Sequence, residues 1–129
     1  MDRFETMSDK ELAVEAAKLM GHGYVGGPLS QVICQKPNGG VVYNWQPVTD
    51  ANQAIELAEH VCSRNELNTD WNSNRAPKGY YVYINWKEGG GSGEYRSVEH
   101  MDERFAKALT VAALRATESL NAIEDGKQP

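Results

Sequence analysis

A chain of 129 residues, 40% of them apolar and 24% charged, is long enough for one compact domain with an ordinary core. Its formal charge of −5 comes without a basic stripe, which disfavours nucleic-acid and anionic-membrane binding, because both draw on clustered Lys and Arg. No apolar run approaches the roughly 20 residues of a bilayer span, and the opening MDRFETMSDK has neither the apolar core nor the small-residue site of a signal peptide, so a soluble cytoplasmic protein is expected.

One domain is expected over residues 1–129, ordered from about 8 to 120 between mobile ends, with Phe4 able to fold back onto the body. The pattern SDKE at Ser8 is a capping box and predicts a helix to about Met20, with Leu12, Ala16, Leu19 and Met20 on its apolar stripe. Gly21 and Gly23 supply a left-handed stop, and Gly26, Gly27 and Pro28 prolong the break. Two short extended runs, QVICQ and VVYNW, flank PNGG, in which Asn38-Gly39 is the preferred centre of a two-residue hairpin turn.

The stretch from Trp45 to Cys62 carries the clearest local signals. A strand ending at Trp45 breaks at Pro47, and Thr49 or Asp50 caps a helix, each followed three positions later by an amide in Asn52 or Gln53. Ala51, Ala54, Ile55, Ala58, Val61 and Cys62 then recur at helical spacing. A face built of alanine calls for a close partner with large side chains, such as a sheet. Residues 65–79 read as a long polar connection without periodicity, of a length that is often functional. YYVYINW at 80–86 is a strand, with Tyr80, Val82, Ile84 and Trp86 alternating against Tyr81, Tyr83 and Asn85. EGGGSG turns the chain into a returning strand, EYRSVEH, and a final helix is predicted from Met101 or Asp102 to about Leu120. The predicted fold is α+β, in the order α-β-β-α-β-β-α: an antiparallel four-stranded sheet from two hairpins, packed with three helices as a helix-sheet-helix sandwich.

A strand ending in aromatic-x-Pro, then x-Thr-Asp and an alanine-rich helix, is present here as Trp45, Pro47, Thr49, Asp50 and Ala54. With the closing FAKALTVAALRA at 105–116, it resembles small proteins of tailed phages and prophages that carry the phage ABA sandwich domain. The resemblance implies a helix-sheet-helix sandwich and a phage setting, in a group of unassigned activity. The 65–79 connection and the triple-glycine turn depart from that group.

Five residues are candidates for binding: Trp71, Arg75, Tyr81, Tyr83 and Arg96. A tryptophan in a polar stretch with Arg75 close by could stack on a base or anchor a partner; alternatively it folds down to cap the core. Tyr81 and Tyr83 share a strand face, with Arg96 projecting beside them from the next strand; covered by a helix they are core, and open they are an aromatic platform. GGGSG leads into a strand and not a helix, which speaks against a phosphate loop. Adjacent Glu99 and His100 point to opposite faces, so no catalytic dyad is expected there. His60 and Cys62 stand two apart on a helix, against a zinc pair, and Cys34 and Cys62 are expected as free thiols.

The expected function is that of a phage-encoded accessory protein acting by binding and not by catalysis. Its partner would be a bacterial host protein, such as a defence component inhibited in the manner of an anti-CRISPR, in the host cytoplasm. The alternative is a nucleotide or small-ligand sequestering protein that uses the same five residues. No catalytic residue, metal or cofactor is assigned, and a homodimer is expected from the alanine-lined helix and the aromatic strand.

Overall fold

The computed structural model describes residues 3–26, 32–64, 70–77, 79–87 and 95–124. A 3-10 turn, Arg3–Thr6, precedes α1 (Asp9–Leu19), β1 (Gly23–Gly26), β2 (Ile33–Gln35), β3 (Val41–Val42), α2 (Ala51–Arg64), β4 (Asp70–Ala76), β5 (Gly79–Lys87), β6 (Tyr95–Asp102) and α3 (Phe105–Glu124). The class is α+β, as predicted. The described strands form two three-stranded antiparallel sheets, β1-β2-β3 and β4-β5-β6, where one four-stranded sheet was expected.

Local chemistry sets α1. Ser8 Oγ accepts from the Glu11 amide at 3.1 Å while Glu11 Oε1 accepts from the Ser8 amide at 2.9 Å, closing the capping box. At the other end Gly21, at φ +77°, lets its amide reach the Lys18 carbonyl and lets the His22 amide reach the Ala17 carbonyl. Gly23, expected to help the stop, instead begins β1, a strand hidden in the glycine-rich break; Tyr24 pairs with Cys34 there. The lead-in is also better anchored than expected. Phe4 is buried against Leu12, Val111 and Leu114, and Arg3 bonds Glu15 and Glu118 at 2.9 and 2.8 Å.

The β2-β3 hairpin forms where expected, but its turn is different. The Gly39 amide donates to the Lys36 carbonyl and the Lys36 amide to the Gly40 carbonyl, with Pro37 and Asn38 central and Gly39 at positive φ. Proline holds the first central residue near φ −65°, which favours this three-residue loop over a two-residue Asn-Gly turn.

Past β3, the chain from Asn44 to Gln53 is pinned to all three helices. Trp45, 1% exposed, donates from Nε1 to the Ala13 carbonyl of α1 at 3.0 Å. Thr110 of α3, fully buried, donates to the Pro47 carbonyl at 2.9 Å. Asp50 caps α2 by accepting from the Gln53 amide. The Gln53 side chain turns back to the strand exit, accepting from the Gln46 amide and donating to the Asn44 carbonyl.

The largest departure lies in the stretch read as a long polar connection. Its second half is β4, paired residue for residue with β5 from Asp70↔Asn85 to Ala76↔Gly79. Asn, Ser and Asp are poor strand formers, so propensity hides a strand that cross-strand pairing creates. Gly79 is required at the hairpin's end: its φ is +155°, and a Cβ there would run into the Asp102 carbonyl.

Helix α3 is the hub. It packs on α1, α2, β5, β6 and the N-terminal turn, and is buried from Ala106 through Leu114 except at Lys107. It starts at Phe105, later than expected, because β6 runs on to Asp102. Alanines at 106, 108, 112, 113 and 116, with Ala54 and Ala58 of α2 and Ala13, Ala16 and Ala17 of α1, bring the helices close. Trp45, Leu57, Ile84 and Leu109 fill the layer between. Helices on both sides of one sheet were expected, but among the described residues Trp71 and Tyr80, on one face of the second sheet, meet Phe105 of α3, and Trp71 also meets Glu59 of α2. Both helices therefore lie on the same side of that sheet.

Candidate functional site

The register of the second sheet sorts the five candidates into two rows. Residues directly opposite across an antiparallel pair share a face, and alternate residues along a strand do too. Trp71↔Ile84, Ser73↔Val82 and Arg75↔Tyr80 form the row toward α2 and α3, and β6 adds Arg96 at the position opposite Trp86. Asn72↔Tyr83 and Asn74↔Tyr81 form the other row, with Glu99 and Met101 of β6 at the register positions opposite Tyr83 and Tyr81. The expected placement of Arg96 beside Tyr81 and Tyr83 is thus one residue out of phase.

Trp71 caps the core. Its ring is half-buried against Phe105, with centroids 6.4 Å apart, and its Nε1 donates to Glu59 Oε1 at 3.3 Å. Arg75, on the same strand face, is exposed. The opposite row is an open platform. Tyr81 is 38% exposed and stacks on Tyr83 at 6.4 Å between centroids and 21° between planes, while Asn72 and Asn74 beside them are exposed. β5, held between β4 and β6, supplies the rigid base. The result is two parallel phenol rings flanked by two amides, a surface that offers π faces and both donors and acceptors.

Elsewhere, ion pairs fasten the ends of helices. Arg104 bonds both carboxylate oxygens of Asp9 at 3.0 and 3.2 Å, and this hydrogen bonding holds the Asp9 carboxyl below its ordinary range. Hydrogen bonding from Arg3 does the same for Glu15. His22, 8% exposed, meets Trp45 edge-on at 5.1 Å with neither ring nitrogen hydrogen-bonded to a described group. Burial lowers its pKa, opposed by Glu56 and assisted by Lys36 and His60. Cys34 is a buried thiol outside any disulfide, and burial pushes its pKa up.

Among the described residues, no group of three or more His, Cys, Asp or Glu side chains is placed to hold a metal ion, and no helix is long and apolar enough to cross a membrane. Three clefts bordered by described residues, at about 200, 280 and 290 Å³, lie at or below the small end of ligand-pocket sizes. The expected glycine turn at 89–93 lies outside the described residues. Sequence reasoning found Tyr81 and Tyr83 but missed Asn72 and Asn74. The signal was their two-residue spacing, masked by the loop-like composition around it. Comparison with protein-family models, curated proteins and solved structures finds no match to this chain.

Proposed function

We propose that this chain is a phage accessory protein that works by binding a bacterial host protein, a defence component being the first class to test, through the open face made by Tyr81, Tyr83, Asn72 and Asn74. The carrying observation is the stacked tyrosine pair, Tyr81 exposed and Tyr83 half-buried, on the sheet face opposite the one packed by α2 and α3. A rigid, exposed aromatic pair gives a partner large contact area at little cost in side-chain freedom, which is why tyrosine is enriched at binding hot spots. The phage setting comes from the sequence resemblance alone. Splitting of the five original candidates between two rows weakens a nucleotide pocket built from all of them.

Quantitative affinity purification from bacterial lysate with the wild-type chain and a Tyr81→Ala/Tyr83→Ala variant tests the reading. A partner retained by the wild type should lose affinity roughly tenfold or more in the double variant, while circular dichroism stays unchanged. Equal retention by both chains, or no retained partner, would reject it. Thermal shifts with a nucleotide panel address the ligand alternative, where stabilisation at millimolar concentration would favour it instead.

A further inference from the structure

Among the described strands, β4 lies at the margin of its sheet, with β5 on one side only. Its register closes on Ala76 opposite Gly79, two residues apart in the turn. A pair facing across a two-residue turn exchanges both of its N–H···O bonds, and bonded pairs alternate along the strands. The even-numbered residues of β4 are therefore bonded to β5, and the backbone amides and carbonyls of Trp71, Ser73 and Arg75 point outward. Asn72, Ser73, Asn74 and Arg75 are all exposed. This leaves three consecutive outward bonding positions, ended by Pro77, which has no N–H to offer.

We propose that this edge is the seam of a symmetric dimer, in which β4 pairs antiparallel with β4 of a second copy about Ser73. A two-fold axis normal to the sheet must match outward residues with outward residues. Centred on Ser73, it pairs Ser73 with its own equivalent, and Trp71 with Arg75 of the second copy, in both directions. Moving the centre to Asn74 sets Pro77 against the Trp71 amide and carbonyl, whereas centring on Ser73 pairs all three outward positions with one another.

Charge selects the same register. Trp71 and Arg75 stand four apart on one strand and so share a face. Trp71 is bonded to Glu59, an exposed carboxylate at the sheet's rim. In the dimer each Arg75 lies directly opposite the other copy's indole, where its guanidinium meets an aromatic ring and the Glu59 carboxylate together. Symmetry makes the contact twice. The six strands then form one continuous sheet, and the Asn72 and Asn74 rows of both copies adjoin.

Sedimentation or light scattering at tens to hundreds of micromolar protein tests the seam. The wild type should be dimeric, and Arg75→Glu and Glu59→Arg should each raise the dimer dissociation constant at least tenfold. The combined Glu59→Arg/Arg75→Glu variant should recover part of the dimer relative to either single variant, because the ion pair is exchanged and not removed. Ser73→Pro, which deletes an outward amide that β5 does not use, should also give monomers. A wild type that stays monomeric, a dimer that survives both Arg75→Glu and Ser73→Pro, or a charge exchange that recovers nothing would overturn the proposal. Tyr81→Ala/Tyr83→Ala should leave the dimer intact, so this outcome and that of the partner experiment are separable.

Discussion

The chain from Asn44 to Gln53 and the strand from Asp70 to Ala76 are opposite solutions to the problem of fixing a backbone. The first is specified largely by its own residues: an aspartate that caps the helix, an amide that closes the loop, and an indole tied to α1, with the Pro47 carbonyl held by Thr110 of α3. The second carries almost no instruction of its own. Asn, Ser and Asn do not favour extended structure, and β4 exists because β5, rich in aromatic and β-branched residues, offers a template. Local signals make the first region legible and robust, whereas the second depends on its partner.

If that contrast is right, removing Trp45 should do the most damage. Trp45→Ala empties a fully buried site and removes the indole's bond to the Ala13 carbonyl, so chemical denaturation should show a loss of about 3–5 kcal/mol. Next comes Gly79→Ala, which puts a Cβ into the Asp102 carbonyl at a positive φ; a loss of about 1–3 kcal/mol is expected, with weakened amide protection in β4 by hydrogen exchange. Were β4 as self-sufficient as the capped junction, that protection would be unchanged. Thr110→Val keeps shape but leaves the buried Pro47 carbonyl without its donor, at about 1–3 kcal/mol, while Thr110→Ser should recover most of this.

The smallest effect concerns the His22-Trp45 contact and appears with pH. Because burial lowers the folded-state pKa of His22, the unfolded chain binds the proton more readily. Stability is therefore full above the ordinary value of 6.5 and falls as pH drops below it. The slope is at most about 1.4 kcal/mol per pH unit. His22→Phe, which retains an aromatic ring against Trp45, should flatten the denaturation profile in that window. Asp9 and Glu15, whose pKa values are lowered from ordinary values of 3.8 and 4.5, lose their contributions only in more acid solution, so the two effects separate.

These same contrasts explain what the sequence disclosed. Ser8, Gly21, Asp50 and the alternation in YYVYINW act within a few residues of themselves, and each element they announce is present. β1 and β4 were missed because glycines and asparagines conceal a strand whose bonds come from elsewhere in the chain. The face of Tyr81 and Tyr83 was legible as a period of two. Whether it was covered was not, because that depends on α2 and α3 sharing the opposite side, a matter of packing between distant segments. Arg96 was misplaced by one residue for a similar reason: the length of the preceding turn sets its phase, and composition does not report it.

The N-terminal turn has a practical consequence. A minimal domain drawn from helical patterning would begin at the Ser8 cap and discard what comes before. Trimming there would bare Leu12, Val111 and Leu114 to water and release Glu15 and Glu118 from their shared guanidinium. Such a shortened chain would keep every helix and strand yet present a sticky apolar notch, so poor solubility in truncated versions would report a lost plug and not a misfolded body.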